Sequence, residues 1–454
     1  MRRVNIGAGS AFWGDMLEPA VQLAERAEIG YLGFDHLSEL TMAILTRQRD
    51  RDPDKGFIPD IVPWMEACLP PARERGIVLT SNAGGANPRA AAREVAKVAR
   101  AAGLGGTRIG IVEGDDLLPT LDRLRADGVT LENMDTGEEG LDRIANRIVA
   151  ANAYLGADGI IEQLQGDADV IVTGRVSDNA LHVAPIMHEF GWSYDDEHVD
   201  RIAAAITVGH LIECTACATG GMSNMWRISD RTWQVGFPIA EIAEDGTATI
   251  TKLEGSGGIV NEWTIKEHLL YEIIDPNNYV MPDGVADFTS VQLDDLGGDR
   301  VAVSDVRGAR RPDRAKVCIG YRDGYIGEGT IWYGWPDALP KAQSAARWIE
   351  RRFEELGPRF EETRIDFVGI NMMQGETAPI RDIDHNEVGL RVSARTVDRE
   401  VAEIVRKEVT HLWTLGAVGS AVGVPPRVRP VIALWPTLVP WEYVDVRTDQ
   451  VVVN

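Results

Sequence analysis

The first half of the chain alternates short apolar runs with stretches of helical spacing. Val4–Gly9 reads as a buried strand, and the following Met16–Ala27 repeats apolar residues at the period of an amphipathic helix. Tyr31–Phe34 is a second strand, and Ser38–Arg47 a helix with Leu40, Ala43 and Ile44 on one face. Gly76–Thr80, Thr107–Val112 and Asp169–Thr173 repeat the strand signal, with helical stretches at Arg89–Ala102 and Asp158–Gln165. Short strands alternating with helices predict parallel βαβ units with right-handed crossovers. The expected fold class is α/β: an N-terminal, mostly parallel sheet flanked by helices, open and doubly wound. A closed barrel is the alternative.

The pattern changes after about residue 220. Ile239–Lys252 reads as a hairpin around Glu244-Asp245-Gly246, because Asp-Gly favours a tight turn. Arg300–Val306 and Lys316–Trp332 are strand candidates, the second folded at Asp323-Gly324. Thr264 and Glu267 have capping-box spacing, which predicts a helix beginning near Thr264. Pro340–Leu356 and Asp398–Trp413 are helical, Arg364–Ile370 and Glu387–Arg395 bracket a short turn region, and Pro425–Pro440 is packed loop and edge strand. This half is α+β. The expected domains are residues 1–220, an α/β domain carrying the ligand site, and residues 221–454, an α+β domain.

Composition narrows the classes of partner. With 454 residues, 44% of them hydrophobic and 26% charged, the chain has the make-up of a globular protein with more than one domain. Its 70 acidic residues against 46 basic ones give a net charge of −24, which repels phosphate backbones and anionic lipid. Neither a nucleic-acid nor a membrane partner is expected. Met1-Arg2-Arg3-Val4 opens no apolar stretch long enough for a signal sequence, and the four cysteines are too few for a disulfide framework. A cytoplasmic location is expected.

In open α/β sheets ligands gather at the carboxyl ends of parallel strands, so the residues that follow each strand are the candidates. The first strand gives Gly7-Ala8-Gly9-Ser10 and then Asp15, a glycine-rich turn without the spacing of a dinucleotide fingerprint. The second gives Asp35 and, four residues on, Glu39. These form an acid and base or a ligand pair, or else Ser38 and Glu39 cap and charge a helix start. The third gives Asn82, Gly84, Gly85 and Asn87, bare amides beside a helix N-terminus that suit an anion or carboxylate. Arg175 follows the Asp169–Thr173 strand, where its planar fork can grip a carboxylate or phosphate. Asp178 fixes that arginine, acts as a base, or caps the next helix. Lys252 and Ser256 flank glycines with the ingredients of a phosphate cradle but not its spacing. His210, Glu213 and Cys214 are helix neighbours, yet the second histidine of a zinc-hydrolase motif is missing, and Cys214 and Cys217 read as buried structural thiols.

Several of these segments together resemble the acyclic terpene utilisation (AtuA-like) family. The residues carrying the likeness are Gly7-Ala8-Gly9 with Asp15, Tyr31 to Glu39, Ser81 to Pro88, Gly174-Arg175-Val176-Ser177-Asp178, and Gly209 to Cys214 with Thr219-Gly220-Gly221. Gly236 to Glu241, Thr251-Lys252 with Gly257-Gly258, and Leu269 to Glu272 continue it. At Thr215-Ala216-Cys217-Ala218 this chain departs from the family pattern. The resemblance implies catabolism of branched, terpenoid-type acids handled as coenzyme A thioesters.

The function expected from these features is a lyase or hydratase acting on a branched carboxylate or its acyl-coenzyme A thioester. Asp35, Glu39 and Asp178 are its candidate catalytic groups. Gly9, Ser10, Asp15, Asn82, Gly84, Gly85, Arg175, Lys252 and Ser256 would bind the substrate. No metal is assigned, and coenzyme A enters only as part of the substrate. The alternative is a non-catalytic binding or scaffold subunit of a catabolic acyl-coenzyme A complex, with Trp332, Trp335, Trp413, Trp435 and Trp441 as interface aromatics. A nicotinamide oxidoreductase is a weaker option. A homo-oligomer is expected in either case.

Overall fold

The computed structural model of the chain describes every residue except Ile380 and Asp382. In chain order its first elements are β1 (Arg3–Ser10), α1 (Leu17–Arg26), β2 (Tyr31–Phe34), α2 (Glu39–Arg51), α3 (Ile61–Arg75), β3 (Val78–Ser81), α4 (Pro88–Ala101) and β4 (Arg108–Glu113). Next come α5 (Leu121–Ala126), β5 (Ile148–Ala153), α6 (Asp158–Gln165), β6 (Val170–Thr173), α7 (Ala180–Phe190) and α8 (Val199–Glu213). After these follow β7 (Pro238–Ala243), β8 (Ala248–Lys252), α9 (Glu262–Leu269) and the short strands β9 (Tyr279–Met281), β10 (Gly284–Asp287), β11 (Gln292–Asp295), β12 (Val301–Ser304) and β13 (Arg307–Ala309). The remainder is β14 (Arg314–Gly334), α10 (Ala338–Leu356), β15 (Glu362–Val368), β16 (Glu387–Thr396), α11 (Arg399–Leu415), β17 (Ser420–Ala421), β18 (Arg427–Pro440) and β19 (Arg447–Val452).

The chain divides into two compact units, residues 1–320 with 434–454, and residues 321–433. The first is built on an open ten-stranded sheet in the order β11-β12-β8-β7-β1-β2-β3-β6-β4-β19. Its centre, β1-β2-β3-β6-β4, is parallel throughout, and its flanks are antiparallel. The sheet is open, so the closed barrel is excluded. The sheet runs on past residue 220, because β7 pairs with β1 and β8 with β7. The texture change at that point therefore marks a switch from parallel to antiparallel pairing inside the first unit.

Central strands of such a sheet are covered on both faces, which is why they read as unbroken apolar runs. All four residues of β2 are buried. Leu32 and Phe34 pack with Leu23, Met65 and Val95 of α1, α3 and α4, while Gly33, on the opposite face, lies against the His182 ring of α7. Helix α4 begins as its sequence dictates: Asn87 Oδ1 accepts from Ala90 N, and Pro88 fills the first turn, where no amide is needed.

In the second unit, β15, β16, β14 and β17 form an antiparallel sheet, and α10 and α11 pack on it, Ile349 and Val405 of the helices sharing one core with Ile331 and Leu390 of the strands. Two expectations fail in the second half of the sequence. The fold at Asp323-Gly324 is absent: β14 runs unbroken for 21 residues, and Gly324, at φ +84°, lets the strand pass close to Thr396 O instead of reversing it. Helix α9 starts at Glu262, capped by Asn261 and Thr264. Glu267 instead accepts from Ser223 Oγ and Asn224 Nδ2. Of the turn region expected between Ile370 and Glu387, Ile380 and Asp382 lie outside the described residues.

Candidate functional site

Each of the five parallel strands delivers a buried polar side chain to the same edge of the sheet. These are Ser10 at the end of β1, Asp35 after β2, Asn82 after β3, Arg175 after β6 and Asp115 after β4. Arg175 is the centre of the group. It is 1% exposed, donates from Nη1 to Leu37 O at 3.1 Å and from Nη2 to Asp178 Oδ1 at 2.5 Å, and lies 4.3 Å over the Tyr154 ring. Tyr154 OH in turn donates to Glu39 Oε1 at 2.7 Å. Burial opposes the guanidinium charge, but Asp178, Tyr154, Asp35 and Glu39 around it outweigh that cost and hold it cationic.

The carboxylates in this group are driven in opposite directions. Burial, with the charge of Asp178 added, pushes Asp35 well above the usual carboxylate range, against the pull of Arg175. Asn82 Nδ2 donates to its Oδ1 at 2.5 Å and Leu37 N at 3.1 Å. Burial also works against the charge of Glu39, but Arg175 and the Tyr154 hydroxyl overcome it and lower its pKa. Glu39 sits in the first turn of α2, where the helix dipole favours a negative charge. Ser38 caps that helix, its N–H donating to Thr41 Oγ1 at 3.3 Å. Asp178 closes the group at the surface, with 37% of its side chain exposed. Beside Arg175 and Tyr154, Glu39, Asn152 and Cys318 line a small void of about 10 Å³, room for about one water.

The remaining predicted residues divide into those that join this group and those that do not. Ser10 Oγ donates to Asp35 O at 2.8 Å and so anchors the β2 end. Asp15 holds its own loop, accepting from Ala11 N and Met16 N at 2.8 and 2.7 Å, and takes a longer bond from Thr215 Oγ1 at 3.4 Å. Burial raises its pKa. Gly9, Gly84 and Gly85 make no open cradle: a Cβ there would strike the Phe34 ring, Thr173 O and the Leu45 side chain respectively. Asn87 is spent on its helix and on Pro53 O and Lys55 O. Lys252 pairs with Asp299 at 2.9 Å, not with Glu254, and donates to Ser256 O at 3.1 Å. Ser256 Oγ donates to Leu253 O. Strand β8 is five strand steps from β6, roughly 24 Å at the usual spacing, so no small anion touches both Lys252 and Arg175.

A model of the acyclic terpene utilisation family protein AtuA matches residues 4–450. The chain belongs to that family. Neither the curated proteins nor the solved structures contain a match to it. No helix among the described residues is long and apolar enough to cross a membrane.

Four site residues of this AtuA-family chain escape the strand-end reading of its sequence. Asp115 is buried behind Arg175, takes a backbone hydrogen bond from it and another from Asn152 Nδ2 at 2.8 Å, and burial pushes its carboxyl up to about 7. The same rule applied to the strand ending at Val112 finds it. Tyr154 has no local signal, because it reaches Arg175 only through the packing of β5. His210 and Glu213 are the other two. Glu213 ends α8 within electrostatic reach of Arg175 and Asp178. His210 is bonded on both ring nitrogens, to Glu213 Oε1 and to His268 O. All four cysteines are free, and burial raises the thiols of both Cys214 and Cys217.

Proposed function

We propose that this AtuA-family chain is a catabolic lyase of the hydratase type, acting on a branched carboxylate or its acyl-coenzyme A thioester. The observation that carries the proposal is the pair Asp35 and Glu39, pushed apart in acidity within electrostatic reach of one buried arginine. Two carboxylates in such opposed environments divide the work of acid and base. Glu39, ionised, takes the proton from the carbon α to the carboxyl or thioester. The electron pair forms the double bond as the β carbon–oxygen bond breaks. Asp35, protonated, gives its proton to the departing hydroxyl, which leaves as water. Arg175, anchored by Asp178, holds the anionic end of the substrate.

The test is to incubate the protein in heavy water with β-hydroxy and α,β-unsaturated branched acids and with their coenzyme A thioesters. Interconversion and deuterium uptake at the α carbon are followed by NMR. Glu39→Gln and Asp35→Asn are each expected to slow uptake by about 10²–10⁴-fold, the usual worth of a positioned proton-transfer group. Arg175→Lys keeps a charge but not the fork, and is expected to fold while losing the thermal shift given by a ligand. Equal shifts in wild type and Arg175→Lys would make Arg175 a structural residue. Purification as a tight hetero-complex without turnover of any compound would point to the scaffold role instead.

A further inference from the structure

Glu213 and Asn179 each hold one buried polar atom without a partner. His210 and His268 bond reciprocally, His210 Nε2 to His268 O at 3.0 Å and His268 Nε2 to His210 O at 2.8 Å. A carbonyl oxygen only accepts, so each ring carries its hydrogen on Nε2. Burial keeps both rings neutral, lowering His210 to about 4 and His268 to about 3. The Nδ1 of His210 is then bare, and Glu213 Oε1 lies 3.1 Å from it. A bare nitrogen repels a carboxylate at that distance, so the hydrogen between them belongs to Glu213, a neutral acid donating from Oε1. Burial and the charges of Asp178 and Glu272 favour that form.

The other oxygen, Oε2, is then an acceptor, and it is buried without a partner in a residue that is 7% exposed. Asn179 carries the complementary orphan: its Oδ1 accepts from Ser177 Oγ at 3.0 Å, while its Nδ2, fully buried, has no acceptor. The third orphan of the same loop is the donor Nε of Arg175. Gly209 brings α8 close against Asn179, since a Cβ there would lie 2.8 Å from Asn179 Cβ. Glu213 is one helical turn beyond Gly209, on the same face of α8. An acceptor and a donor without partners match a hydroxyl group, which gives one hydrogen bond and takes one. An arginine donor beside them matches a carboxylate or thioester oxygen.

We propose that Glu213 and Asn179 are the hydroxyl-recognising residues of the Arg175 site, so that its ligand is a hydroxylated carboxylic acid or the thioester of one. This rests on the reading of Arg175 as the anion-holding residue. A site that pairs buried groups with a hydroxyl rejects the analogue lacking it, because both groups are then left unpaired. Isothermal titration of the full chain with β-hydroxyisovalerate, α-hydroxyisovalerate and isovalerate, as free acids and as coenzyme A thioesters, reads this out. At least one hydroxy compound is expected to bind about a hundredfold more tightly than its unhydroxylated partner. Glu213→Met and Asn179→Ala should each remove most of that difference while leaving isovalerate affinity within about threefold; if one variant fails to fold, the other carries the same contrast. Glu213→Gln should keep the preference, because its amide donates to His210 Nδ1 and its carbonyl remains an acceptor. Equal binding of hydroxylated and plain acids would overturn the proposal and leave the Arg175 reading standing, with the orphan pair bridged by an ordinary water. Absence of binding by every acid and thioester would overturn both. Collapse of the preference in Glu213→Gln would show that Glu213 is ionised and would overturn the hydroxyl assignment.

Discussion

Asp115 sits behind Arg175, and its role is legible in its pH dependence. Gly174 has no side chain where Asp115 packs, for a Cβ there would lie 2.2 Å from Asp115 Oδ1. That close approach, with the bonds from Arg175 and Asn152, fixes the turn from which Arg175 projects. Burial lifts the carboxyl from 3.8 to about 7. Between these values the folded chain holds a proton that the unfolded chain has released, so stability falls as pH rises through the window. At about 1.36 kcal/mol per pH unit the full loss is on the order of 4 kcal/mol by pH 8. Asp115→Asn keeps the amide-accepting oxygen and removes the titration. Its melting temperature relative to wild type should therefore rise between pH 5 and pH 8. A difference that does not change with pH would show that Asp115 is not protonated in the folded chain. Asp35 pushes in the same direction and stays in both proteins, so it cancels from the comparison.

At the level of elements, the strands and helices of the parallel core were readable because burial on both faces leaves unbroken apolar runs, and β2 and α6 appear at their expected limits. Where the reading failed, a distant partner decided. The Asp-Gly pair in β14 is a turn signal by local chemistry, yet pairing with β16 from Tyr325 to Gly334 holds the strand straight through it. Helix α3 contains Pro70 and Pro71, residues that break a helix in isolation, and it stands because Trp64, Met65 and Leu69 are buried against α1 and α4. The strand-end rule singled out Asp35, Glu39, Arg175 and Asp178, which the structure brings into one group. It could not find the His210–His268 pairing, whose members are 58 residues apart. One contact between elements makes the site possible, the approach of α8 to the turn after β6. Gly209→Ala should push the last turn of α8 away from Asn179 and cost about 1–3 kcal/mol, the usual effect of overpacking. It should also weaken ligand binding, although Gly209 bears no functional group. Denaturant unfolding together with a thermal-shift titration checks both. Unchanged stability would mean that α8 and the loop separate without cost.

The whole molecule carries its net charge of −24 on a surface that also exposes Met222, Trp226, Ile228, Trp233, Trp263 and Leu270. Glu267 ties the first of these segments to α9 by accepting from Ser223 and Asn224, which places Trp226 and Trp263 on linked elements. Of the aromatics foreseen as interface residues, Trp335 and Trp413 are exposed, whereas Trp435 is fully buried, with its indole N–H on Leu131 O, and Trp441 donates to Pro312 O. A chain with exposed large apolar side chains and a surplus of one charge faces two opposed tendencies. Apolar surface favours association, and like charge resists it over about 10 Å at 0.1 M salt but only about 3 Å at 1 M. Association into a closed symmetric oligomer is the expected outcome, and added salt should strengthen it. Sedimentation equilibrium at micromolar concentration should return a multiple of the chain mass, with the dissociation constant falling as salt rises. Trp226→Ser and Trp263→Ser should weaken assembly without lowering the melting temperature of the separated chain, because both side chains are already in water there. A mass equal to one chain at every salt concentration would reject the oligomer and return these tryptophans to the ordinary apolar share of a protein surface.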